Sequence, residues 1–406
     1  MKTIKVYLLK LLKVPSFSVD EQKKIIDSFP EPRDDFDRAY FNYQCNTRGM
    51  FPLTRVLLDF SCFFAVLLFV LLFIINRIFY RKKNEKRDAI IICAANRVGQ
   101  KYSYEGRIPE DLLKEYKNII ELKLDVFPKF TEGVFGINAF KTWLRFFIRH
   151  PFSGFINFRC LINIMAVNKL IITYSPKAII IARAELNNIS SIVSCFCELN
   201  HIRYINFMHG EMMATMNTAF VRFTNFYIWD KHYIKVLVWG RAPEDQFVVY
   251  QPSIYNFHVQ KTYAPQYDYT YILCGNEYTG IDETIRSVCD ILKKLVGYGY
   301  KCKVRPHPRW SDIDELNRVF FGTGIDIENP KEINTEKSIS DSKYVIGTFS
   351  TVLTEAFYMG IKIIIDDLSD PDLLKNLENS MYFLLDKKHE LLSNVISKME
   401  MEKENA

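Results

Sequence analysis

From Asp88 to Ile365 the chain alternates short apolar runs with longer amphipathic stretches, and this alternation narrows the fold more than any other feature. The runs at 89–94, 177–182, 204–208, 226–230 and 247–250 are rich in β-branched and aromatic residues. That is how strands buried on both faces read. A second set lies at 269–273, 301–305, 344–347 and 361–365. Between them run helical stretches, such as the one from about Asp282 that carries Ile285, Val288, Ile291, Leu292 and Leu295 on one face. Strands that alternate with helices build a parallel sheet covered on both sides. The polar stretch 259–268, with Pro265 inside it, separates the two sets. The expectation is therefore two Rossmann-like α/β domains, 88–262 and 263–385, followed by a helix and tail at 386–406.

Before this alternation stands an apolar segment, 56–75, broken only by Asp59, Ser61 and Cys62. About 20 such residues in a helix span ~30 Å of hydrocarbon. Arg77, Arg81, Lys82, Lys83, Lys86 and Arg87 follow at once, and positive charge close to a helix end marks the cytoplasmic side. The expectation is one transmembrane helix within 53–80, with Asp59 at the interface and everything after it cytoplasmic, as in a single-pass inner-membrane protein. A buried or interfacial helix that does not cross is the alternative. Residues 1–52 form a membrane-proximal region whose first 13 residues mix leucine and isoleucine with lysine; 16–51 shows no sustained period. The region 137–170 interleaves Trp143, Phe146, Phe147, Phe152, Phe155 and Phe158 with Arg145, Arg149 and Arg159. It reads as a helix pair of the core or as a surface for lipid.

The net charge of +6 on 406 residues is too small to argue for nucleic acid. Nine cysteines include no C-x-x-C pair, so buried free thiols are expected rather than a zinc site. No metal and no cofactor is expected. Neither G-x-G-x-x-G nor G-x-x-x-x-G-K-[ST] occurs, which removes the dinucleotide and P-loop fingerprints.

The strongest chemical signal is Arg305-Pro306-His307-Pro308-Arg309, at the end of the run 301–305. Proline ends a strand and holds the residue before it extended. Ligands of open α/β sheets bind at that edge, and two guanidinium groups with an imidazole suit phosphate. Gly275 stands after the first strand of the same set. About forty residues beyond the histidine, Gly347-Thr348-Phe349-Ser350-Thr351 leads from a strand into a helix. Ser350 and Thr351 can cap that helix and donate to a phosphate. Glu355 lies one turn further on and can hold a ribose hydroxyl. In the first set, His209-Gly210-Glu211 follows a strand. Histidine and carboxylate at a strand end are candidates for a general base. Glu185 and Asp230 end neighbouring strands in the same way.

These features resemble the two-domain (GT-B) glycosyltransferases of bacterial surface polysaccharides, above all those using CMP-activated sugars. The likeness covers about 89–385. It implies two Rossmann-like domains facing a cleft. It also implies that His307, Ser350 and Thr351 bind donor phosphate, with Arg305, Arg309, Gly275 and Glu355 around them. The acidic pair before glycine that supplies the base in several of those enzymes is absent. Glu211 or His209 stands in the corresponding region. The expected partners are a nucleotide-sugar donor, a glycan or glycolipid acceptor and the membrane, with no nucleic acid. Two other readings stay open: a CDP-polyol phosphotransferase of teichoic-acid type, and a non-catalytic membrane-anchored assembly protein.

Overall fold

The computed structural model describes residues 17–48, 52–80, 85–94, 108–124, 130–208, 210–252, 265–274, 282–309 and 311–404. The chain divides into two compact units: Met1–His209 with Ala214–Gln251, and Gly210–Met213 with Pro252–Ala406.

The first unit is built on a six-stranded parallel sheet. Its strands are β1 (Ala89–Ala94), β2 (Ile119–Leu124), β3 (Ala178–Ala182), β4 (Arg203–Phe207), β5 (Asn225–Ile228) and β6 (Phe247–Val249). The order is β2-β1-β3-β4-β5-β6. The isoleucines of β1 and β3 lie in register, Ile90 beside Ile179 and Ile92 beside Ile181; Ile90, Ile92 and Ile179 are buried and Ile181 is half-buried, close to what a strand covered on both faces requires. β2 was not expected, because Glu121 and Lys123 break its apolar run. As an edge strand it needs only one buried face.

The region 137–170 is two helices, α5 (Ile137–Arg149) and α6 (Gly154–Tyr174). Pro151 lies in the break, where a missing backbone N–H costs nothing. The Trp143 indole N–H donates to the Asn157 carbonyl at 3.0 Å and ties the two together. Along α6, Arg159 is buried and donates to Asn188 Oδ1 and Asn187 Oδ1, both at 2.7 Å. Helix α6 is thus a core helix, buried from Ile156 to Asn168 except at Phe158.

Residues 16–51, without assignment from sequence, contain α1 (Val19–Asp27) and α2 (Asp35–Thr47). Their signals were local: Ser18 and Glu21 form a capping box, and Asp34 caps α2. Both helices pack on the first unit itself. Ile26, Cys45, Ala219 and Phe220 share one buried cluster. Asn42 donates to the Ala219 carbonyl at 2.6 Å. Arg241 donates to the carbonyls of Ile26, Phe29 and Pro30 at 3.2, 2.7 and 3.0 Å.

The apolar segment is the middle of α3 (Pro52–Phe79). Asp59, expected from sequence at a membrane interface, is half-buried and has a partner within the first unit. Its Oδ1 accepts the Phe155 backbone N–H at 2.9 Å, so it satisfies a first-turn donor of α6 from outside that helix. Gly154 permits this approach, since a Cβ there would stand 1.9 Å from the Asp59 carbonyl oxygen. Asp59→Ala is expected to cost about 0.5–2 kcal/mol, the range for a lost cap, read as a lower melting temperature. Asp59→Asn keeps an acceptor and should lose less.

The second unit holds another six-stranded parallel sheet: β7 (Tyr267–Ile272), β8 (Cys302–Arg305), β9 (Asp326–Ile327), β10 (Ser342–Gly347), β11 (Lys362–Ile365) and β12 (Glu390–Leu391). The order is β12-β11-β10-β7-β8-β9. Counting β7 as the first strand, this reads 6-5-4-1-2-3, the doubly wound Rossmann order. Helices α9 (Asp282–Gly297), α10 (Ile313–Val319), α11 (Thr335–Ser340), α12 (Thr351–Tyr358), α13 (Pro371–Asn379) and α14 (Leu392–Glu404) connect and flank the strands. The α9 face expected from its spacing, Ile285, Val288, Ile291, Leu292 and Leu295, is buried against Tyr269, Tyr271 and Val304 of the sheet. Completing the first unit are α4 (Glu110–Lys114), α7 (Ser190–Glu198) and α8 (His232–Trp239).

Candidate functional site

In a doubly wound sheet the strand order reverses between the first and fourth strands, and ligands bind beyond their carboxyl ends. In the second unit these strands are β7 and β10. β10 ends in Gly347, whose Cβ position lies 3.0 Å from the Ile272 carbonyl oxygen of β7. A side chain there would press the two central strands apart, so this glycine is required by close approach. The chain then turns through Thr348 and Phe349 and enters α12. Ser350 is the N-cap; its Oγ accepts the Val352 backbone N–H at 3.1 Å. The N-terminus of α12 therefore opens at the switch point, where a helix end favours anions.

A four-residue strip, Gly210–Met213, belongs to this second unit although its neighbours in sequence belong to the first. The Glu211 backbone N–H donates to Thr351 Oγ1 at 3.2 Å, and Thr354 Oγ1 donates to Glu211 Oε2 at 2.6 Å. A Cβ on Gly210 would stand 2.9 Å from Thr351 Oγ1. The structure thus brings Glu211 together with the Ser350-Thr351 pair, 140 residues later. Tyr382, fully buried, closes the cluster: its ring meets Phe349 edge-on at 5.4 Å. Burial first, and then the charge of Glu211, raise its hydroxyl well above the ordinary range, against the backbone N–H of Ser350, which acts the other way. Tyr382 carries no sequence signal of its own. Glu355 is half-buried on the next turn of α12.

β8 lies beside β7 and leads into the His-Pro turn. His307 is half-buried. Its backbone N–H donates to Ser311 Oγ at 2.7 Å, and its Nδ1 accepts the Arg309 backbone N–H at 3.2 Å. A neutral ring held in this way carries its proton on Nε2. The imidazole lines a cavity of about 400 Å³ together with Ser311, Asn317, Glu328, Asn329 and Lys331. Arg309 is exposed.

Arg305 is placed differently from the sequence expectation. It is 5% exposed, and its guanidinium pairs with the buried Glu328 carboxylate. It donates further to the Ile333 carbonyl at 3.1 Å and to Thr335 Oγ1 at 3.3 Å. Lys303 reaches the same carboxylate at 2.6 Å. These partners within the second unit make Arg305 the anchor at the base of the His-Pro turn. Glu328 escaped the sequence reading because β9, which delivers it, has only two paired residues.

The other strand-end carboxylates have partners within the first unit. Glu185 is fully buried and accepts the Asn206 amide at 2.8 Å. Asp230 Oδ1 accepts the His232 backbone N–H at 2.8 Å, at the start of α8. Asp312 and Asp370 cap α10 and α13. His209 and Gly275 lie outside the described residues.

No family model matches the chain, and no curated protein matches it. Among solved structures it is similar to the UDP-GlcNAc 2-epimerase of Neisseria meningitidis bound to UDP-GlcNAc, at 10% identity and a TM-score of 0.42, over 71% of this chain and 85% of that one. It is similar to the wall teichoic acid polymerase TagF, at 10% identity and a TM-score of 0.42, over 77% and 79%. It is also similar to MurG of Acinetobacter baumannii, at 12% identity and a TM-score of 0.41, over 75% and 85%.

Proposed function

We propose that this chain is a membrane-attached glycosyltransferase. It moves a sugar from a nucleotide-activated donor, a CMP-sugar by preference, to a hydroxyl of a growing surface glycan. The observation that carries this reading is the Rossmann-ordered second unit, whose switch point opens on the Gly347–Thr351 turn with Glu211 hydrogen-bonded to the first turn of α12. The donor phosphate sits at the N-terminus of α12, against Ser350 and Thr351. His307 donates to it from the neighbouring strand end. Glu211 takes the proton from the acceptor hydroxyl as that oxygen bonds to the anomeric carbon. The bond from carbon to phosphate oxygen breaks, and its electrons stay on the phosphate. Glu211 is set to one side of the helix end by Thr354, which keeps two anions from competing for one position.

Incubation with CMP-, CDP-, UDP- and GDP-linked donors and a lipid-linked glycan acceptor tests this reading. The expected result is acceptor-dependent release of nucleotide, greatest with a CMP-sugar. In Ser350→Ala/Thr351→Val the donor KM should rise by about 100-fold or more, two hydrogen bonds to a charged group being worth roughly 1.5 kcal/mol each at the low end of their range. Release of CMP from a CDP-polyol, leaving polyol phosphate on the acceptor, would favour the second reading. That reading rests on His209-Gly210 followed by His307-Pro308. A chain that neither binds nor consumes any donor would be an assembly protein.

A further inference from the structure

We propose that α3 does not cross the membrane: it lies in the plane of an anionic bilayer surface, as a monotopic anchor of the first unit. The reason is topological. Helices α1 and α2 precede α3, and the sheet follows it, yet both are parts of one folded body. Ile26 and Cys45 on one side of α3 in sequence share a buried cluster with Ala219 and Phe220 on the other. A single crossing would put ~30 Å of hydrocarbon between them.

Helix α3 is also seated along its length. Asp59 meets Gly154 and Phe155 at the start of α6. Phe69 meets Phe158 edge-on at 4.9 Å. The Asn76 amide donates to the Gly133 carbonyl at 3.1 Å, and the Tyr80 hydroxyl bonds Thr173 at the end of α6. The two helices run side by side in the same direction. The far side of α6 belongs to the water-soluble core, with Arg159 and its asparagines, and cannot follow α3 into lipid. Only the outer face of α3 is uncovered. It is one stripe at helical spacing: Val56, Phe60, Phe64, Leu67, Leu71 and Ile78 are each 55–73% exposed. The stripe widens where Phe63 touches Phe147 of α5 and where Phe152, 93% exposed, precedes Gly154.

An apolar stripe of this length exceeds what a soluble surface carries. Charge selects the occupant. Arg77 and Lys86 are exposed at the carboxyl end of the helix, and the intervening chain reads Arg81-Lys82-Lys83. An apolar helix face with basic residues at its margin suits an anionic leaflet.

Two measurements on the full chain test this. In the first, Lys24→Cys and Lys231→Cys, exposed in the first unit before and after α3, are labelled with a membrane-impermeant maleimide in everted membrane vesicles, against the unsubstituted chain as background. Both should label alike without detergent. Labelling of Lys231→Cys with protection of Lys24→Cys would show a crossing and end the proposal. In the second, purified chain is floated with vesicles of phosphatidylcholine alone or with phosphatidylglycerol. Binding should rise with anionic lipid. Leu67→Glu/Leu71→Glu should bind at least tenfold less at an unchanged melting temperature, because neither side chain is packed. Failure of the wild-type chain to float, or a dimer that buries the stripe instead, would overturn the assignment to lipid.

Discussion

Replacing Glu328 with alanine is expected to destabilise the second unit by about 3–5 kcal/mol, the cost of leaving a buried charge without its partner. Lys303 is 3% exposed, Arg305 5% and Glu328 5%. In the variant two cations stay buried with no anion between them. The Ile333 carbonyl and Thr335 hydroxyl still accept from Arg305, but neither carries charge. Urea denaturation of the second unit's transition should report the loss as a lower midpoint. The triple change Lys303→Met/Arg305→Met/Glu328→Leu separates pairing from burial. Replacing a whole buried ion group with apolar side chains of similar size is often neutral or stabilising by 1–4 kcal/mol. A triple variant near wild-type stability, beside a collapsed single variant, is the expected pattern. Glu328→Ala within about 1 kcal/mol of wild type would mean that water reaches these groups. Because Arg305 leads directly into Pro306 and His307, the same single change should weaken any function of the turn without touching the imidazole.

How much of this was legible in sequence follows from where the signals were local. Nine of the twelve strands among the described residues announce themselves through runs such as Ala89–Ala94, because strands buried on both faces must be apolar throughout. β2 was hidden by Glu121 and Lys123, and β9 and β12 by being two residues long. The Ser350 cap was legible for a similar reason, since capping is decided within three residues. What could not be read was pairing across distance. Arg305 and His307 stand two residues apart and look alike as phosphate ligands. One is claimed by Glu328 and the other lines a cavity, and nothing within ten residues of either distinguishes them. Glu185 and Glu211 both end strands of the first set. Only the fold shows that Glu185 is sealed against Asn206 while Glu211 leaves with the second unit. The apolar run 56–75 was legible as a helix, the middle of α3, but what packs around it depends on where α1 and α2 dock. Contacts through Asn42 and Arg241, which set that docking, have no sequence period.

His307→Ala is expected to lower turnover by about 10²–10³, the effect of removing one preorganised donor from a site of developing negative charge. The argument turns on how the ring is held. The Arg309 backbone N–H occupies Nδ1, and the Ser311 hydroxyl fixes the backbone beneath it. The imidazole thus keeps one orientation and one tautomer, and under the proposed function no reorganisation is needed as charge builds on the departing phosphate. Alanine keeps both prolines and the backbone bond to Ser311 and loses only the acceptor of the Arg309 N–H, so the melting temperature should move little. His307→Gln restores an N–H donor on a side chain of similar reach and should recover part of the rate. Ser311→Ala loosens the backbone without removing the donor. Its effect should be smaller and should fall on kcat more than on donor KM, since the misplaced ring still meets the ground-state phosphate. Turnover of His307→Ala near the wild-type rate would take the imidazole out of the chemistry and leave the helix end at Ser350 as the sole proposed phosphate site.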